Sequence, residues 1–449
     1  MTQDIDTLHL ADVLRQKIEA KAAVVGIIGL GYVGLPLARA FRQQGFPVRG
    51  FDIDEQKARI LNAGGSYIRH ITPDDISRMN AGGGFVASSD YSLISTVDVI
   101  IICVPTPLSR HYEPDLSYIV STTEAVTPFL RQGQLVCLES TTYPGTTREV
   151  MRPILERSGL VAGKDFYIAF SPEREDPGNP QFNTSTIPKI VGADDPVSRE
   201  LALAVYEKIT RVISVSSADT AEAVKLTENI FRSVNIALVN ELKLIYEKMG
   251  IDVWEVIDAA KTKPFGFMAF YPGPGLGGHC IPIDPFYLTW KAREFDIATR
   301  FIELAGQVNT AMPEHIVRRV GDVLDQHSGR GLNGADILLL GVAYKKNIDD
   351  TRESPALKIM DLLRARGARV SYYDPYVPEV PPTREHMTLA GMKSIPWSGA
   401  EIARYDAALI CTDHDCVDYK LLAQHAKLVF DSRNAMKDFA GYQAHLVKV

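Results

Sequence analysis

The sequence predicts an α/β protein with two doubly wound domains and a long helix between them. Three observations predict this fold. Strand-like and helix-like segments alternate near the start of the chain, the middle contains one long helical stretch, and the alternation then returns. A chain of 449 residues is also too long for one ordinary hydrophobic core, so we expect two or three domains.

The first domain is predicted to open with a short amphipathic helix over residues 1–22, followed by alternating strands and helices. Apolar runs of strand length indicate buried strands, and a helix-like segment over residues 35–44 follows the first of them. The predicted strands are residues 24–29, 48–52, 97–104 and 134–138. Buried strands that alternate with helices are typical of a parallel, doubly wound sheet.

The middle of the chain has the pattern of a long helix. Residues 218–250 contain no proline and no glycine before Gly250. Apolar residues recur there at helical spacing, namely at Val224, Phe231, Val234, Leu238, Leu242 and Ile245. We expect one helix with a wide apolar face, able to join two domains and to form a dimer interface. A further helical segment is predicted over residues 286–327.

The α/β pattern returns in the last third of the chain. A helix is predicted over residues 355–366, ended by Gly367. The predicted strands are residues 336–340, 369–373, 407–411 and 428–430. The order strand, helix, strand, acid repeats the first domain and reaches its acid at Asp374, but the first turn reads GVAYKKNIDDTRES, without GxGxxG. We therefore expect this domain to bind something other than a dinucleotide pyrophosphate.

Composition and charge exclude several classes of protein. The formal net charge is −7 and there is no long basic block, which argues against a nucleic-acid partner. The apolar runs are too short to span a bilayer, and the polar N-terminus lacks the features of a secretory signal, so we expect a cytoplasmic protein without membrane insertion. Five cysteines without CxxC spacing support neither a disulfide framework nor a zinc site.

The segment GLGYVG, residues 29–34, reads as a dinucleotide fingerprint, because it follows a predicted strand and opens a helix. Gly29 would permit the tight turn, Gly31 would let the backbone approach a pyrophosphate, and Gly34 would allow close helix–strand packing. Asp52 ends the next strand, where an acid binds ribose hydroxyls and favours NAD over NADP. The alternative is a purely structural glycine turn.

A cysteine lies at the end of a glycine- and proline-rich loop, in the string YPGPGLGGHCIPID. Cys280 is either a buried small residue or a catalytic thiol that could trap an aldehyde beside the dinucleotide. Lys225 and Asn229 share one face of the long helix. This face is either a solvated surface, or it supplies side chains that stabilise an oxyanion. Further polar residues follow predicted strands, and they are either ordinary turn and surface residues or contacts to a ligand. They are Thr141, Glu173, Lys345, Arg352 and Arg433.

Eight motifs occur in an order that resembles the nucleotide-sugar 6-dehydrogenase family, the UDP-glucose/GDP-mannose dehydrogenases. They are GLGYVG, VPTP, EST, SPE, KLTEN, GGHCIPID, YKKNIDDTRES and FDSR, and they cover nearly the whole chain. The resemblance implies two Rossmann-like domains joined by a long central helix, in a homodimer or higher assembly. It implies an NAD-binding domain over residues 1–215, a central helical domain over 216–328 and a UDP-sugar-binding domain over 329–449.

The resemblance also implies a reaction, the oxidation of a sugar C6 alcohol to a carboxylate with two NAD molecules. Cys280 would form a thiohemiacetal and then a thioester, with Lys225 and Asn229 as oxyanion stabilisers. Asp284 would assist proton transfer, Glu173 would be the base for thioester hydrolysis, and Thr141 would help to position water. The implied cofactor-binding residues are Gly29, Gly31, Tyr32, Val33, Gly34, Asp52, Lys57, Thr106 and Arg352. The implied substrate-binding residues are Glu173, Arg174, Lys225, Asn229, Tyr271, Gly277, Lys345 and Arg433.

The substrate expected from the resemblance is an acetamido sugar. Arg174 stands where the UDP-glucose branch has an apolar residue, and no arginine near Lys263 matches the substrate arginine of that branch. The string SPERED and the cysteine loop look most like the UDP-N-acetylglucosamine 6-dehydrogenases of bacterial surface-polysaccharide synthesis. UDP-N-acetylgalactosamine, UDP-N-acetylmannosamine and UDP-glucose stay open, as do a two-electron hydroxyacid dehydrogenase and a non-catalytic NAD-binding scaffold.

Overall fold

The structure is a computed structural model that describes most of the chain. It covers residues 2–68, 71–109, 113–174, 186–278, 281–329, 331–383, 385–439, 441–442 and 444–449, with side chains from residue 9 onward. The chain divides into two compact units. Unit 1 comprises Met1–Glu228 and Phe286–Ile297, and unit 2 comprises Asn229–Pro285 and Ala298–Val449.

Unit 1 is built around an eight-stranded sheet. Its strands are β1 Val25–Ile28, β2 Val48–Phe51, β3 Phe85–Ser88, β4 Val99–Ile102, β5 Leu135–Leu138, β6 Tyr167–Phe170, β7 Lys189–Gly192 and β8 Val212–Val215. Its helices are α1 Thr2–Glu19, α2 Gly34–Gln43, α3 Glu55–Asn62, α4 Pro73–Asn80, α5 Ser117–Val126, α6 Arg152–Leu155 and α7 Pro196–Tyr206. The strand order is β3-β2-β1-β4-β5-β6-β7-β8, which begins with the order of a dinucleotide-binding fold.

Burial explains why the central strands of unit 1 read as continuous apolar runs. All four residues of β1, β4, β5 and β6 are buried, because helices cover both faces of the sheet. The described strand pairs are parallel except for β6 and β7, which run antiparallel. The helices start at side-chain caps where the sequence supplies them, as at Thr72, whose hydroxyl forms a capping box with Asp75 before α4.

One long helix, α8 Ala218–Met249, passes from unit 1 into unit 2, and its prediction is confirmed. Three more helices follow: α9 Val253–Ala260, α10 Asp284–Ala292 and α11 Arg300–Ser328. The prediction of one helical segment over residues 286–327 is wrong. The chain leaves the helix at Asp296, which has a left-handed backbone with φ of 56°, so α10 and α11 are separate.

Unit 2 contains a five-stranded parallel sheet in the order β10-β9-β11-β12-β13. Its strands are β9 Asp336–Leu340, β10 Arg369–Tyr373, β11 Ala407–Ile410, β12 Leu428–Asp431 and β13 His445–Lys448. Its remaining helices are α12 Pro355–Ala365, α13 Gly399–Ile402 and α14 Tyr419–His425. The order 2-1-3-4-5 is that of a doubly wound sheet, so the predicted fold of two doubly wound sheets with a long helix is confirmed. Among the helices described, none has both the length and the apolar composition needed to cross a bilayer.

Candidate active site

The glycine loop after β1 is shaped by close backbone contacts. Gly29 has a φ of 92°, and a Cβ added to it would lie 2.4 Å from the carbonyl oxygen of Cys103. A Cβ on Gly34 would lie 1.9 Å from the carbonyl oxygen of Gly29. By contrast, a Cβ on Gly31 would meet no atom within 4 Å. Two glycines therefore let the loop close against its own strand and helix, while the third leaves open space beside the N-terminus of α2.

Asp52 lies directly after β2 and is oriented by the same loop. Its Oδ2 accepts hydrogen bonds from the Leu30 backbone N–H at 3.0 Å and from Lys57 Nζ at 3.1 Å. Its Oδ1 accepts the Asp54 backbone N–H at 3.0 Å. Asp52 is 5% exposed. Lys57, a predicted cofactor residue, therefore orients the acid that is expected to bind ribose.

The other predicted cofactor residues divide between the two units. In unit 1, Tyr32 is exposed and Val33 is the N-cap residue of α2. Thr106 is buried, and its carbonyl oxygen accepts the Tyr287 hydroxyl at 2.9 Å. Arg352 belongs to unit 2, where its guanidinium pairs with Asp350 and its carbonyl oxygen accepts the Gly278 N–H at 3.0 Å.

The residues of unit 1 fit a bound NAD. The open space at Gly31 beside the N-terminus of α2 suits the pyrophosphate, and the Asp52 carboxylate suits ribose hydroxyls. Gly29, Gly31, Gly34 and Asp52 would hold the cofactor, which when bound accepts a hydride from the substrate carbon.

Two predicted catalytic residues follow neighbouring strands of unit 1. Thr141 comes shortly after β5 and is partly exposed, and Glu173 comes shortly after β6. Glu173 Oε2 lies 3.4 Å from Lys189 Nζ, and its Oε1 accepts the Arg174 backbone N–H at 2.7 Å. The carboxylate of Glu173 is therefore held by a buried lysine that the sequence did not single out.

Arg174, a predicted substrate residue, is engaged within unit 1. Its guanidinium donates from Nε at 3.1 Å and from Nη2 at 2.5 Å to the two carboxylate oxygens of Glu228 on α8. Its Nη1 donates to the carbonyl oxygen of Pro188. Such a fork-shaped pair fixes the guanidinium plane, so the side chain that follows Glu173 has a set orientation.

Glu222 on α8 fixes the segment that follows Thr141, and sequence reasoning missed it. Its carboxylate accepts the backbone N–H groups of Gly145 at 2.6 Å and Thr147 at 2.9 Å, and the Thr147 hydroxyl at 2.7 Å. Burial raises the pKa of Glu222 to about 8, although these three hydrogen bonds act in the opposite direction. The one signal in the sequence was the position of Glu222 three residues before Lys225, which places both on the same side of the helix.

In unit 2, Asn229 and Asp284 are brought together although 55 residues separate them in the chain. The Asn229 amide donates to Asp284 Oδ2 at 2.5 Å, and the two residues are 3% and 1% exposed. Lys225 is also buried on α8, but it belongs to unit 1. Cys280 and the neighbouring His279 lie outside the described residues.

The glycine-rich loop before Cys280 packs tightly within unit 2. A Cβ on Gly277 would lie 2.6 Å from the Tyr344 Cβ and 2.9 Å from the Glu353 carbonyl oxygen. The Gly273 N–H donates to Asn240 Oδ1 of α8 at 3.0 Å. Gly277 is thus required by its contact with the loop after β9, the loop that also contains Lys345.

Tyr271 and Arg433, two predicted substrate residues, line the same cavity of about 480 Å³ in unit 2. Tyr271 stacks on Trp254 with ring centroids 5.3 Å apart, and its hydroxyl donates to Asp258 at 2.7 Å. The Arg433 Nε donates to the carbonyl oxygen of Cys411 at 2.9 Å. An aromatic ring and a guanidinium on one cavity suit a ligand that has both a planar ring and an anionic group.

A largely parallel sheet with a glycine loop that suits a dinucleotide, followed by a second doubly wound sheet with a cavity, is typical of NAD-dependent dehydrogenases with two Rossmann-like domains. Three family models then match the chain in order: the NAD binding domain of the UDP-glucose/GDP-mannose dehydrogenase family at residues 23–210, its central domain at 219–311 and its UDP binding domain at 338–438. The chain belongs to the UDP-glucose/GDP-mannose dehydrogenase family and is an NAD-dependent oxidoreductase of nucleotide sugars.

Relatives with different substrates are similar to this chain to nearly the same degree. It is 35% identical over 424 residues to UDP-N-acetyl-D-mannosamine dehydrogenase of Pyrococcus horikoshii, covering 92% of this chain and 96% of that protein. It is 36% identical over 356 residues to UDP-N-acetyl-D-glucosamine 6-dehydrogenase of Pseudomonas aeruginosa, covering 79% and 83%. The solved structure of the Pyrococcus horikoshii UDP-D-ManNAc dehydrogenase superimposes with a TM-score of 0.84 at 33% identity, covering 94% of this chain and 99% of that one.

Proposed function

We propose that this protein oxidises the C6 alcohol of UDP-N-acetylglucosamine to the uronic acid, in four electrons, for surface-polysaccharide synthesis in the bacterial cytoplasm. The observation that supports four-electron chemistry best is the buried Asn229–Asp284 pair, since Asp284 follows Cys280 by four residues in the sequence. The cavity lined by Tyr271 and Arg433 supports a nucleotide substrate. The strings SPERED and GGHCIPID support an acetamido sugar.

The proposed chemistry uses Cys280 as a nucleophile. Its thiolate adds to the C6 aldehyde to give a thiohemiacetal, and loss of a second hydride turns this adduct into a thioester. The Asn229 amide and the Lys225 ammonium stabilise the oxyanions, and Asp284 accepts and returns the proton. Water then hydrolyses the thioester with Glu173 as the base and Thr141 as its positioning partner. Covalent attachment keeps the aldehyde from escaping between the two oxidations.

UDP-N-acetylmannosamine is the second candidate substrate. The Pyrococcus horikoshii relative that matches over 92% of this chain is named for that sugar. The two sugars differ in the configuration at one carbon, so a small change in the sugar pocket separates them. UDP-N-acetylgalactosamine and UDP-glucose complete the set to be compared.

The experiment is a panel of these four UDP-sugars with NAD, with NADH counted per sugar consumed. We expect the highest kcat/KM with UDP-N-acetylglucosamine, two NADH per sugar and a uronic acid product. One NADH per sugar with a stable aldehyde would exclude the four-electron reaction, and a preference for UDP-N-acetylmannosamine would favour the second candidate. Cys280→Ser should retain NAD binding and lose net oxidation. Turnover of no sugar would favour the NAD-binding scaffold.

The predicted homodimer, or a higher assembly, is also part of the proposal. Phe231, Leu238 and Ile245 recur at seven-residue intervals on α8 and are 49%, 51% and 46% exposed in the single chain. Apolar residues with this spacing form one stripe, as required for the pairing of two helices. Light scattering of wild type and of Leu238→Glu tests this, since the glutamate should shift the mass toward the monomer.

A further inference from the structure

Four polar side chains form a buried cluster in unit 1, and only Glu173 was expected to have a function. Glu139 follows β5, Lys189 is the first residue of β7, and Tyr206 is the last residue of α7. The side chains of Glu139, Lys189 and Glu173 are 0%, 4% and 14% exposed. A buried lysine and buried glutamates are stable only when they are paired.

The antiparallel direction of β7 explains how the lysine reaches Glu173. Phe170 of β6 pairs with Gly192 of β7. Continuing this register three residues forward from Phe170 and three residues back from Gly192 brings Glu173 opposite Lys189. A strand parallel to β6 would begin at the other edge of the sheet and would carry its first residue away from Glu173.

The contacts make Lys189 a bridge between two carboxylates. Its Nζ lies 2.8 Å from Glu139 Oε2 and 3.4 Å from Glu173 Oε2. The Tyr206 hydroxyl donates to Glu139 Oε1 at 2.7 Å, and the Tyr206 ring centroid lies 5.3 Å from Lys189 Nζ. Burial lowers the pKa of Lys189, but the charges of Glu139 and Glu173 outweigh burial and raise it above the usual value. The surroundings of Lys189 therefore favour its protonated form, although burial raises the pKa of Glu139 against the charge of the lysine.

We propose that Lys189, anchored by Glu139 and Tyr206, is a positioning residue that orients the Glu173 carboxylate for thioester hydrolysis. In that step the water oxygen bonds to the acyl carbon, a water proton passes to Glu173, and the carbon–sulfur bond to Cys280 breaks. The sulfur leaves as a thiolate, and no oxidant is consumed. This inference rests on the proposed function and goes beyond it, because it assigns Lys189 as the cation that orients the base Glu173.

The test separates oxidation from hydrolysis in two variants. Lys189→Met removes the charge and keeps all but the last atom of the side chain's length, and Lys189→Arg keeps the charge. Each protein is mixed rapidly with NAD and the UDP-sugar that the wild type oxidises best. We expect Lys189→Met to form two NADH per site in a fast phase and then to turn over about 100-fold more slowly than wild type. Acid-quenched protein should show the mass of the acyl adduct. Lys189→Arg should recover turnover to within about tenfold of wild type.

A matched control is Lys291→Met. Lys291 of unit 1 is also a buried lysine between two carboxylates, with Nζ 2.8 Å from Glu149 and 2.7 Å from Glu294. We expect Lys291→Met to lower Tm without accumulating an acyl adduct. Tyr206→Phe provides a milder change of the same cluster, and it should slow hydrolysis less than Lys189→Met while sparing the fast phase. If Lys189→Met does not fold, Tyr206→Phe tests the inference by the same comparison of the fast phase with turnover.

The outcomes are distinguishable. Slowing of the fast phase and of turnover by the same factor, or wild-type turnover by Lys189→Met, would show a structural role only and overturn the inference. A wild-type enzyme that yields one NADH per sugar would overturn the proposed function and the inference together. The failure of the proposed function is thus seen in the wild type, and the failure of the inference alone is seen in the variants.

Discussion

The two sheets begin with the same order of strands and helix, but the acid that ends this order makes different contacts in each. In both, a strand, a loop, a helix and a second strand lead to an aspartate, Asp52 in unit 1 and Asp374 in unit 2. Asp52 receives the Leu30 and Asp54 amides and Lys57. Asp374 receives four backbone amides, those of Val342, Ala343, Tyr376 and Val377, and is also bonded to His414 Nε2 at 3.1 Å.

An acid after the second strand does not by itself define a cofactor site. In unit 1 the loop over residues 29–33 is short, and glycines keep it clear of the ligand space. In unit 2 the loop over residues 341–354 is longer, and the carboxylate of Asp374 binds its first amides. We propose that the first acid binds a ribose, whereas the second holds a loop that packs against Gly277.

Replacing each of the two aspartates by asparagine should change stability and NAD affinity the most. The His414 Nδ1 accepts the Asn347 N–H at 2.9 Å, so its Nε2 donates to Asp374. Asp374→Asn would turn an amide NH₂ toward these donors, and we expect the free energy of unfolding to fall by about 3 kcal/mol. Asp52→Asn should weaken NAD binding about tenfold with a smaller loss of stability.

Denaturant unfolding and NAD titration of both variants measure these effects. Asp374→Asn should mainly lose stability, and Asp52→Asn should mainly lose NAD affinity. Hydrogen exchange localises it, because the amides of Val342 and Ala343 should lose protection in Asp374→Asn alone. If Asp374→Asn weakened NAD binding as much as Asp52→Asn at unchanged stability, the two acids would have the same role and the comparison would fail.

The second effect tests the glycine loop with a matched pair. Gly34→Ala would place its Cβ 1.9 Å from the Gly29 carbonyl oxygen, so we expect a loss of about 2 kcal/mol in the free energy of unfolding. Gly31→Ala meets no protein atom within 4 Å and should leave Tm nearly unchanged. It should nevertheless weaken NAD binding tenfold or more, because its methyl group enters the space expected for the pyrophosphate. Calorimetric Tm and NAD affinity, measured on the same samples, separate the two results.

Much of the fold could be predicted because its signals are local. The strand at residues 369–373 and the long helix at 218–250 are predicted almost to the residue, since buried apolar runs and helical periodicity need only neighbouring positions. The break at Asp296 could not be predicted, because an aspartate in a left-handed conformation leaves no gap in the apolar pattern.

The candidate site was predictable in part, for the same reason. GLGYVG and Asp52 have a spacing that can be read directly, whereas Lys189 acquires its neighbours only from the antiparallel pairing of β6 and β7. Glu139 lay inside the EST motif but had no visible partner in the sequence. The Asn229–Asp284 hydrogen bond could be expected only from the family resemblance.

The stability that Asp374 contributes should depend on pH. Burial opposes ionisation of Asp374, but the hydrogen bond from His414 and the backbone amides outweigh it and lower its pKa below the usual value. A lowered folded-state pKa stabilises the fold above the unfolded-state pKa of about 3.9, and this contribution is lost as the pH falls through the folded-state pKa. The Tm difference between wild type and Asp374→Asn should therefore be constant from pH 6 to 8 and shrink below about pH 4. A difference that stays constant down to pH 3 would contradict this origin.

The smallest effect concerns Lys57, the cation that is paired with Asp52 in unit 1. Its side chain is 35% exposed, so the 3.1 Å contact is partly screened and should contribute less than about 1 kcal/mol to stability. Lys57→Ala should therefore leave Tm within about 2 °C, and loss of the cation should weaken NAD binding only a few-fold, because Leu30 and Asp54 still orient the acid. A loss of NAD affinity as large as that of Asp52→Asn would instead mean that Lys57 contacts the cofactor directly. Asp52 and Lys57 would then bind the ligand together as a charged pair. Asp374, whose hydrogen bonds are made within its own unit, would differ from Asp52 in function by more than its hydrogen bonds show.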